Sequence, residues 1–112
     1  MENLVIKLRE FAKEREWDKY HSPKNLTMAL SVEVAELVEH FQWKTEKESY
    51  ELNPGTQEMV KEEIGDIFLY LIRLSDKLGI DLMGAAREKI EKNKLKYPVE
   101  LSKGNAKKYK EF

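Results

Sequence analysis

The chain has 112 residues, of which 41% are hydrophobic and 37% are charged, and its formal net charge is −1. This length favours one domain with a small core, and the balance of charges argues against a dedicated nucleic-acid binder, which would usually be basic. The sequence contains no cysteine, so disulfides, zinc–thiolate sites and thiol catalysis are excluded.

The N-terminus and the apolar runs argue against a membrane protein. The opening residues MENLVIKLRE carry charges throughout, which is not typical of a signal peptide. The longest apolar stretch, around IFLYLI, is too short to span a bilayer. We therefore expect a soluble cytoplasmic protein that has neither nucleic acid nor membrane as a partner.

The first half of the chain predicts two helices that are joined by a polar, aromatic loop. Apolar residues at helical spacing predict the first helix over residues 2–16, and the loop WDKYHSPKN follows it. Pro23 is expected to bar helix just before it, and Asn25 is a plausible N-cap for the next helix. The second helix is predicted over residues 26–43.

The second half predicts two more helices. A charged segment over residues 44–56 ends in Asn-Pro-Gly, which is a turn signal. The third helix is predicted over residues 57–78, and Gly79 is a good C-terminal stop. Asp81 can cap the fourth helix, which is predicted to continue to Lys96.

These patterns predict an all-α fold of the four-helix bundle type. No segment alternates between apolar and polar residues as a half-buried strand would. We assign a helical domain to residues 1–98 and a polar C-terminal tail to residues 99–112. Four helices in a short chain leave apolar surface uncovered, and the third carries Ile64, Phe68 and Ile72 on one flank. This flank is either an oligomer contact or packing within one subunit.

Four carboxylates lie on helix faces that are otherwise apolar and are predicted to pack in the core. They form two pairs, Glu33 with Glu36 and Glu63 with Asp66, and residues three apart share one helix face. A charge on an apolar stripe is costly unless it is compensated. A hard divalent cation would remove the repulsion, and all-oxygen ligation favours Mg²⁺ or Mn²⁺ over zinc. Such an ion points to phosphate chemistry, and the alternative is four ordinary surface carboxylates.

The carboxylate pairs lie within longer blocks that match a known family. E-x-x-E at Glu33–Glu36 is followed, after 26 intervening residues, by E-x-x-D at Glu63–Asp66. Around them stand the blocks HSPKNL, FQWKT, EEIGDIFLYLIRL and NKLKYPVEL, with KKYKEF at the end of the chain. The pattern resembles the MazG-like superfamily of all-α nucleoside triphosphate pyrophosphohydrolases, and the blocks resemble its dCTP pyrophosphatase branch.

The resemblance implies a Mg²⁺-dependent hydrolase that sanitises the nucleotide pool by cleaving dCTP and modified dCTP to the monophosphate and pyrophosphate. It implies that Glu33, Glu36, Glu63 and Asp66 bind the metal and carry catalysis. It also implies a homodimer or a dimer-of-dimers homotetramer with sites at subunit contacts. The alternatives are a pyrophosphohydrolase that prefers dUTP or another modified nucleotide, and a non-catalytic helical module that binds nucleotide or a partner protein.

Other residues are candidates for contacts with the base and the sugar. The resemblance places Trp17 and Trp43 in a pyrimidine pocket, where aromatic faces stack on bases, although a tryptophan is often simply core. It places Tyr70 under the deoxyribose, where a flat ring would exclude a 2′-hydroxyl. His21 is expected to contact base or phosphate, or to cap its loop. Leu8 departs from the histidine that animal relatives carry on the first helix.

The fourth predicted helix offers donors for phosphate. Lys89, Asn93 and either Lys96 or Tyr97 share one helix face, and lysine acts as a compact point charge toward phosphate. In the family these positions look like phosphate and sugar contacts. The alternative is a solvated helix face.

Overall fold

A computed structural model describes residues 1–104, and the regular structure in that range is entirely helical. Its elements are α1 (Glu2–Glu14), a 3₁₀ turn (Asp18–Tyr20), α2 (Pro23–Glu39), α3 (Glu46–Ser49), α4 (Pro54–Lys77), α5 (Leu82–Lys96) and α6 (Val99–Ser102). The predicted all-α class with four main helices is confirmed, because α1, α2, α4 and α5 correspond to the four predicted helices. The terminal block KKYKEF lies outside the described residues. None of the helices within residues 1–104 has the length and apolar character needed to cross a membrane.

The chain divides into two compact units, Met1–Ile80 and a second unit that begins at Asp81. In the first unit, α4 packs mainly against α2 and to a smaller extent against α1. Its fully buried apolar side chains come from all three of these helices: Ala12, Leu26, Val60 and Ile72. The core of the first unit therefore lies where α1, α2 and α4 meet. The predicted domain boundary at residue 98 stays a prediction.

The start of α2 confirms one sequence prediction and corrects another. The chain is not helical just before Pro23, as predicted, because Ser22 is extended with φ of −69° and ψ of 155°. Pro23 itself is the first helical residue, ahead of the predicted start at residue 26, and that position has no intrahelical N–H bond to lose. Ser22 is the N-cap in place of Asn25, and its Oγ accepts a hydrogen bond from the Asn25 backbone N–H at 3.1 Å. The Asn25 side chain instead donates to the Tyr20 carbonyl oxygen at 3.0 Å, which ties the helix to the preceding turn. The helix also ends at Glu39, short of the predicted residue 43.

Like α2, helix α4 begins with an N-cap residue followed by a proline. Its start lies in the Asn-Pro-Gly segment that the sequence predicted as a turn. Asn53 is its N-cap and accepts a hydrogen bond from the Thr56 backbone N–H at 2.8 Å, and Pro54 is the first helical residue. The short helix α3 within the preceding charged segment was not predicted. The predicted stop at Gly79 is confirmed by its left-handed backbone, with φ of 66°. Asp81 is the N-cap of α5, as predicted.

The three apolar residues predicted on one flank of the third helix differ in burial. Ile72 is 1% exposed and belongs to the core of the first unit, so its place on an outer flank was wrong. Ile64 and Phe68 remain 54% and 38% exposed. Packing within the subunit therefore accounts for Ile72, whereas Ile64 and Phe68 form an uncovered apolar patch on α4.

Candidate active site

Helices α2 and α4 bring the four predicted carboxylates into one electrostatic group. Glu33 and Glu63 are half-buried, whereas Glu36 and Asp66 are exposed. The pKa of Glu33 is raised above its ordinary value, first by burial and then by the negative charges of its three neighbours. The three neighbouring carboxylates therefore repel the charge of Glu33, and a bound cation would reduce this repulsion.

One oxygen of Glu63 is buried and unsatisfied. Within the described residues, Glu63 Oε2 has no hydrogen-bond partner. His40 Nε2 lies 2.8 Å from this oxygen, an ion-pair contact when the imidazole is protonated. A cation would satisfy this buried oxygen further, because a buried carboxylate oxygen without a hydrogen bond is costly. This oxygen supports the interpretation of the quartet as a metal site.

The carboxylates fit a divalent ion by their chemistry but are not preformed as ligands. No group of three His, Cys, Asp or Glu side chains within residues 1–104 converges closely enough to hold a metal ion. Hard carboxylate oxygens are the ligands that Mg²⁺ prefers, and residues three apart on a helix have Cβ atoms about 5–6 Å apart. The two carboxylates of each pair can therefore be directed toward one point by changes of side-chain rotamer.

A cavity of about 270 Å³ lies beside the carboxylates and contains several predicted residues. Its lining includes the predicted residues Trp17, His21, Glu33, Asp66 and Tyr70. The remainder of the lining was not predicted as part of a site: Leu8, Phe11, Ala12, Leu69 and Arg73. The cavity therefore joins an aromatic and apolar wall to an acidic edge.

The aromatic side of the cavity is ordered by contacts between rings. The rings of Phe11 and Trp17 meet edge to face, with centroids 5.5 Å apart, and those of Trp17 and His21 are 6.3 Å apart. Trp17 is still 43% exposed, so part of its ring is available to a ligand. Burial, followed by the charges of Glu33 and Asp66, raises the pKa of Tyr70 and keeps its phenol protonated.

Five predicted contact residues are not among those that line this cavity. Trp43 is 88% exposed and does not line it. Lys89, Asn93, Lys96 and Tyr97 belong to the second unit, on α5 and at its C-cap. There the pKa of Lys89 is lowered, mainly by its hydrogen bond and charge repulsion with Lys96. Two lysines so close together are typical of a surface that an anion would stabilise.

The sequence interpretation missed Arg73, which has a side chain only 7% exposed. Its Nε donates to His21 Nδ1 at 3.2 Å, and its Nη2 is paired with Asp18. Asp18 also accepts a hydrogen bond from Lys77 Nζ at 2.9 Å. A signal for Arg73 was present, because it lies one helical turn after Tyr70 on the same face of α4, where a basic residue needs partners.

The model of the MazG-like family matches residues 28–112 of this chain, a region that contains both carboxylate pairs. The chain is 42% identical over 102 residues to dCTP pyrophosphatase 1 of Rattus norvegicus, covering 89% of this chain and 60% of the rat protein. It is 39% identical over 105 residues to dCTP pyrophosphatase 1 of Homo sapiens, covering 92% of this chain and 62% of the human protein. The chain thus spans about 60% of the length of the curated relatives that it matches.

A solved structure shares this fold at higher sequence identity. The crystal structure of a pyrophosphatase from Archaeoglobus fulgidus DSM 4304 superposes with a TM-score of 0.83 and is 46% identical to this chain. The match covers 88% of this chain and 92% of the archaeal chain. The likeness therefore extends over nearly the whole of both molecules.

Proposed function

This chain belongs to the MazG-like family, and from that premise we propose that it is a pyrophosphohydrolase of nucleoside triphosphates. The proposed reaction converts dCTP, and dCTP modified on the base, to dCMP and pyrophosphate. The observation that carries the proposal is a single cavity lined by the aromatic residues Trp17 and Tyr70 and by the carboxylates Glu33 and Asp66. Cytosine is supported as the base because the rat and human relatives are dCTP pyrophosphatases.

The size of the cavity supports a nucleoside as its occupant. Its volume of about 270 Å³ lies near the lower end of small-molecule sites, which begin at about 300 Å³. A base and a deoxyribose fill such a space, while a charged triphosphate extends past the acidic edge toward solvent. The flat ring of Tyr70 beneath the sugar would disfavour a 2′-hydroxyl. The phosphate contacts assigned to Lys89, Asn93, Lys96 and Tyr97 stay predictions from the sequence.

We propose Mg²⁺, or Mn²⁺ in its place, as the ion for Glu33, Glu36, Glu63 and Asp66. The unsatisfied oxygen of Glu63 and the raised pKa of Glu33 support this assignment. When bound, such an ion would neutralise phosphate charge and polarise the phosphorus–oxygen bonds. The four carboxylates would hold this ion, and their own negative charge would be neutralised before the triphosphate approaches them.

The reaction at the α-phosphorus is a substitution by water. A new P–O bond forms between the water oxygen and the α-phosphorus, and the bond from this phosphorus to the oxygen that bridges to the β-phosphate breaks. Glu33 or Glu36 accepts the proton of the water, and the bridging electron pair leaves with pyrophosphate. The apolar wall of Leu8, Phe11 and Leu69 excludes water from the base and sugar.

We further propose that the chain assembles as a homodimer or as a tetramer built from dimers. The support is the uncovered apolar patch of Ile64 and Phe68 on α4. Burying such a patch against a second copy removes apolar area from water, which is the main favourable contribution to association.

The experiment is a panel of pyrophosphate-release assays on the purified chain. The substrates are dCTP, 5-methyl-dCTP, dUTP, the other deoxynucleotides and CTP, each with Mg²⁺ and with excess EDTA. We expect release to be fastest from dCTP and to disappear with EDTA. Fastest release from dUTP would support the alternative substrate class. A folded protein that releases nothing would instead be a non-catalytic binding module.

A further inference from the structure

The hydrogen bond between Arg73 and His21 determines which nitrogen of the imidazole carries its proton. Arg73 Nε lies 3.2 Å from His21 Nδ1 in a donor geometry. An arginine stays protonated in proteins, and its Nε–H can only donate. His21 Nδ1 must therefore accept, and a neutral imidazole in this position carries its proton on Nε2.

The charges around His21 keep the imidazole neutral. Burial, followed by the positive charges of Arg73 and Lys77, lowers the pKa of His21 below its ordinary value, and Asp18 opposes this only in part. His21 is therefore neutral at pH 7, with Nδ1 committed to Arg73. Nε2 makes no hydrogen bond with any residue in the described range, and His21 lines the cavity. The imidazole thus presents one available donor, Nε2–H.

The Arg73 guanidinium is itself held in place from two directions. Its Nη2 is paired with Asp18, and its Nη1 lies 3.7 Å from Asp76 Oδ2. Arg9 on α1 donates twice to Asp76, at 2.8 and 2.6 Å. The orientation of Arg73 is therefore set by residues from α1, α4 and the 3₁₀ turn. The hydrogen bond from Arg73 in turn orients the His21 ring.

We propose that Arg73 is a positioning residue for base selection, which locks His21 as a hydrogen-bond donor to the pyrimidine. This inference rests on the proposed function. N3 of cytosine is an acceptor, whereas N3 of uracil or thymine carries a hydrogen. The Nε2–H of His21 therefore meets an acceptor on cytosine and a second donor on uracil, which leaves two polar groups unpaired. Among the lining residues, Leu8, Phe11 and Leu69 are apolar and offer no acceptor, whereas the carboxylates Glu33 and Asp66 are assigned to the proposed ion.

The direct test is the tautomer of His21, measured from imidazole ¹⁵N chemical shifts. The chain contains two histidines, so a His40→Gln variant assigns both ring systems. We expect the Nε2–H tautomer in the wild type and a mixture of tautomers in Arg73→Met, in which a methyl group replaces Nε–H. Lys77→Met is the matched control, because Lys77 pairs with Asp18 and acts on His21 through its charge but makes no hydrogen bond with His21, and the variant should keep the wild-type tautomer.

Arg73→Met leaves no buried carboxylate without a partner, because Asp18 is 63% exposed and Asp76 keeps Arg9. An Nδ1–H tautomer in the wild type would overturn the proposal, and so would an unchanged tautomer in Arg73→Met. If that variant does not fold, the wild-type spectrum can still overturn the proposal, because Arg73 Nε–H cannot donate to an Nδ1 that carries a proton. This readout does not depend on turnover, so it separates failure of this inference from failure of the proposed function.

The second test is the ratio of kcat/KM for dCTP to kcat/KM for dUTP, two substrates that differ in the pairing edge of the base. The loss of a buried hydrogen bond together with an unpaired donor predicts a wild-type preference for dCTP of about tenfold to a hundredfold. We expect this ratio to fall by at least about tenfold in Arg73→Met and to be preserved in Lys77→Met. An unchanged ratio in Arg73→Met would contradict the proposal.

Discussion

Glu63 differs from the other proposed metal ligands because one of its oxygens is buried without a hydrogen bond. Glu33 shares its half-buried position, whereas Glu36 and Asp66 reach solvent. The close polar neighbour of Glu63 Oε2 is His40 Nε2, at 2.8 Å, and a buried carboxylate is stabilised further where an ion completes the site. Glu63 and Glu33 therefore form the inner part of the proposed ion site, and Glu36 and Asp66 its outer part.

Replacing Glu63 by Gln should lower turnover of dCTP by at least about a hundredfold, because a neutral amide is a poor ligand for a hard cation. The measurement is kcat at saturating Mg²⁺. Glu62→Gln is the matched control, since it makes the same change at the adjacent, exposed position of α4. Near-normal hydrolysis by Glu63→Gln would remove Glu63 from the site.

Trp17 and Trp43 were equivalent candidates in the sequence, and the structure distinguishes them. Replacing Trp17 by Ala should lower kcat/KM for dCTP by about fivefold to a hundredfold, since stacking of a base on an aromatic ring contributes about 1–3 kcal/mol. Tyr20→Ala is the control, because Tyr20 is exposed and does not line the cavity. Full activity of Trp17→Ala would show that the base binds elsewhere.

At the level of elements, α1 is joined to α4 by a charged contact that also supports the cavity. Arg9 donates two hydrogen bonds to Asp76, and their side chains are 59% and 15% exposed. Because α1 packs less extensively than α2 against α4, this contact is a substantial part of what holds α1 in place. It also places Phe11 and Leu8 at the cavity wall.

The Arg9–Asp76 contact makes stability depend on pH. The hydrogen bonds from Arg9, supported by its charge, lower the pKa of Asp76 below 3.8. Its stabilisation is therefore complete above that ordinary value and is lost as the pH falls through the lower pKa of the folded state. Asp76→Asn should reduce the free energy of unfolding by about 1 kcal/mol at neutral pH, a modest value because Arg9 is exposed.

The check on Asp76→Asn is urea denaturation at neutral pH and at progressively lower pH. The difference from the wild type should shrink as the pH falls below about 4. Glu14→Gln is the control, because Glu14 is largely exposed and its distance to Arg15 is 3.7 Å. If Asp76→Asn lowers the free energy of unfolding by the same amount at every pH, the charge of Asp76 is not the cause of that loss.

At the level of the whole molecule, a single copy leaves many large apolar side chains exposed. The patch of Ile64 and Phe68 lies on α4, and Val34 and Val38 are exposed on α2, the helix that packs against it. Soluble monomers rarely leave extensive contiguous apolar patches uncovered. The exposed residues of α2 and α4 are therefore the surface where we expect a second copy to bind.

The double variant Ile64→Glu, Phe68→Glu should convert the assembly to a monomer, because two charges would have to be desolvated in the interface. Light scattering coupled to size exclusion measures the mass of the assembly. Ile6→Glu is the control, since it places a charge at an exposed apolar residue of α1. A wild-type chain that is already monomeric would contradict the assignment.

The sequence by itself determined the helical class, four main helices and the two carboxylate pairs. Each of these follows from spacing within one helix, because residues three or four apart share a face whatever packs against it. The same local reasoning placed the start of α2 too late, at residue 26, although Pro23 is the first helical residue and Ser22 is its N-cap. It also missed α3, a single capped turn within a charged segment.

The tertiary structure alone decided which of these residues meet. His21 and Arg73 are 52 positions apart, and Arg9 and Asp76 are 67 apart, so no local pattern contains either contact. Ile72 and Ile64 have the same apolar character and lie on one helix, yet only Ile72 is covered. The physical reason is that burial and pairing depend on how α1, α2 and α4 pack together, whereas periodicity determines only which face of each helix is apolar.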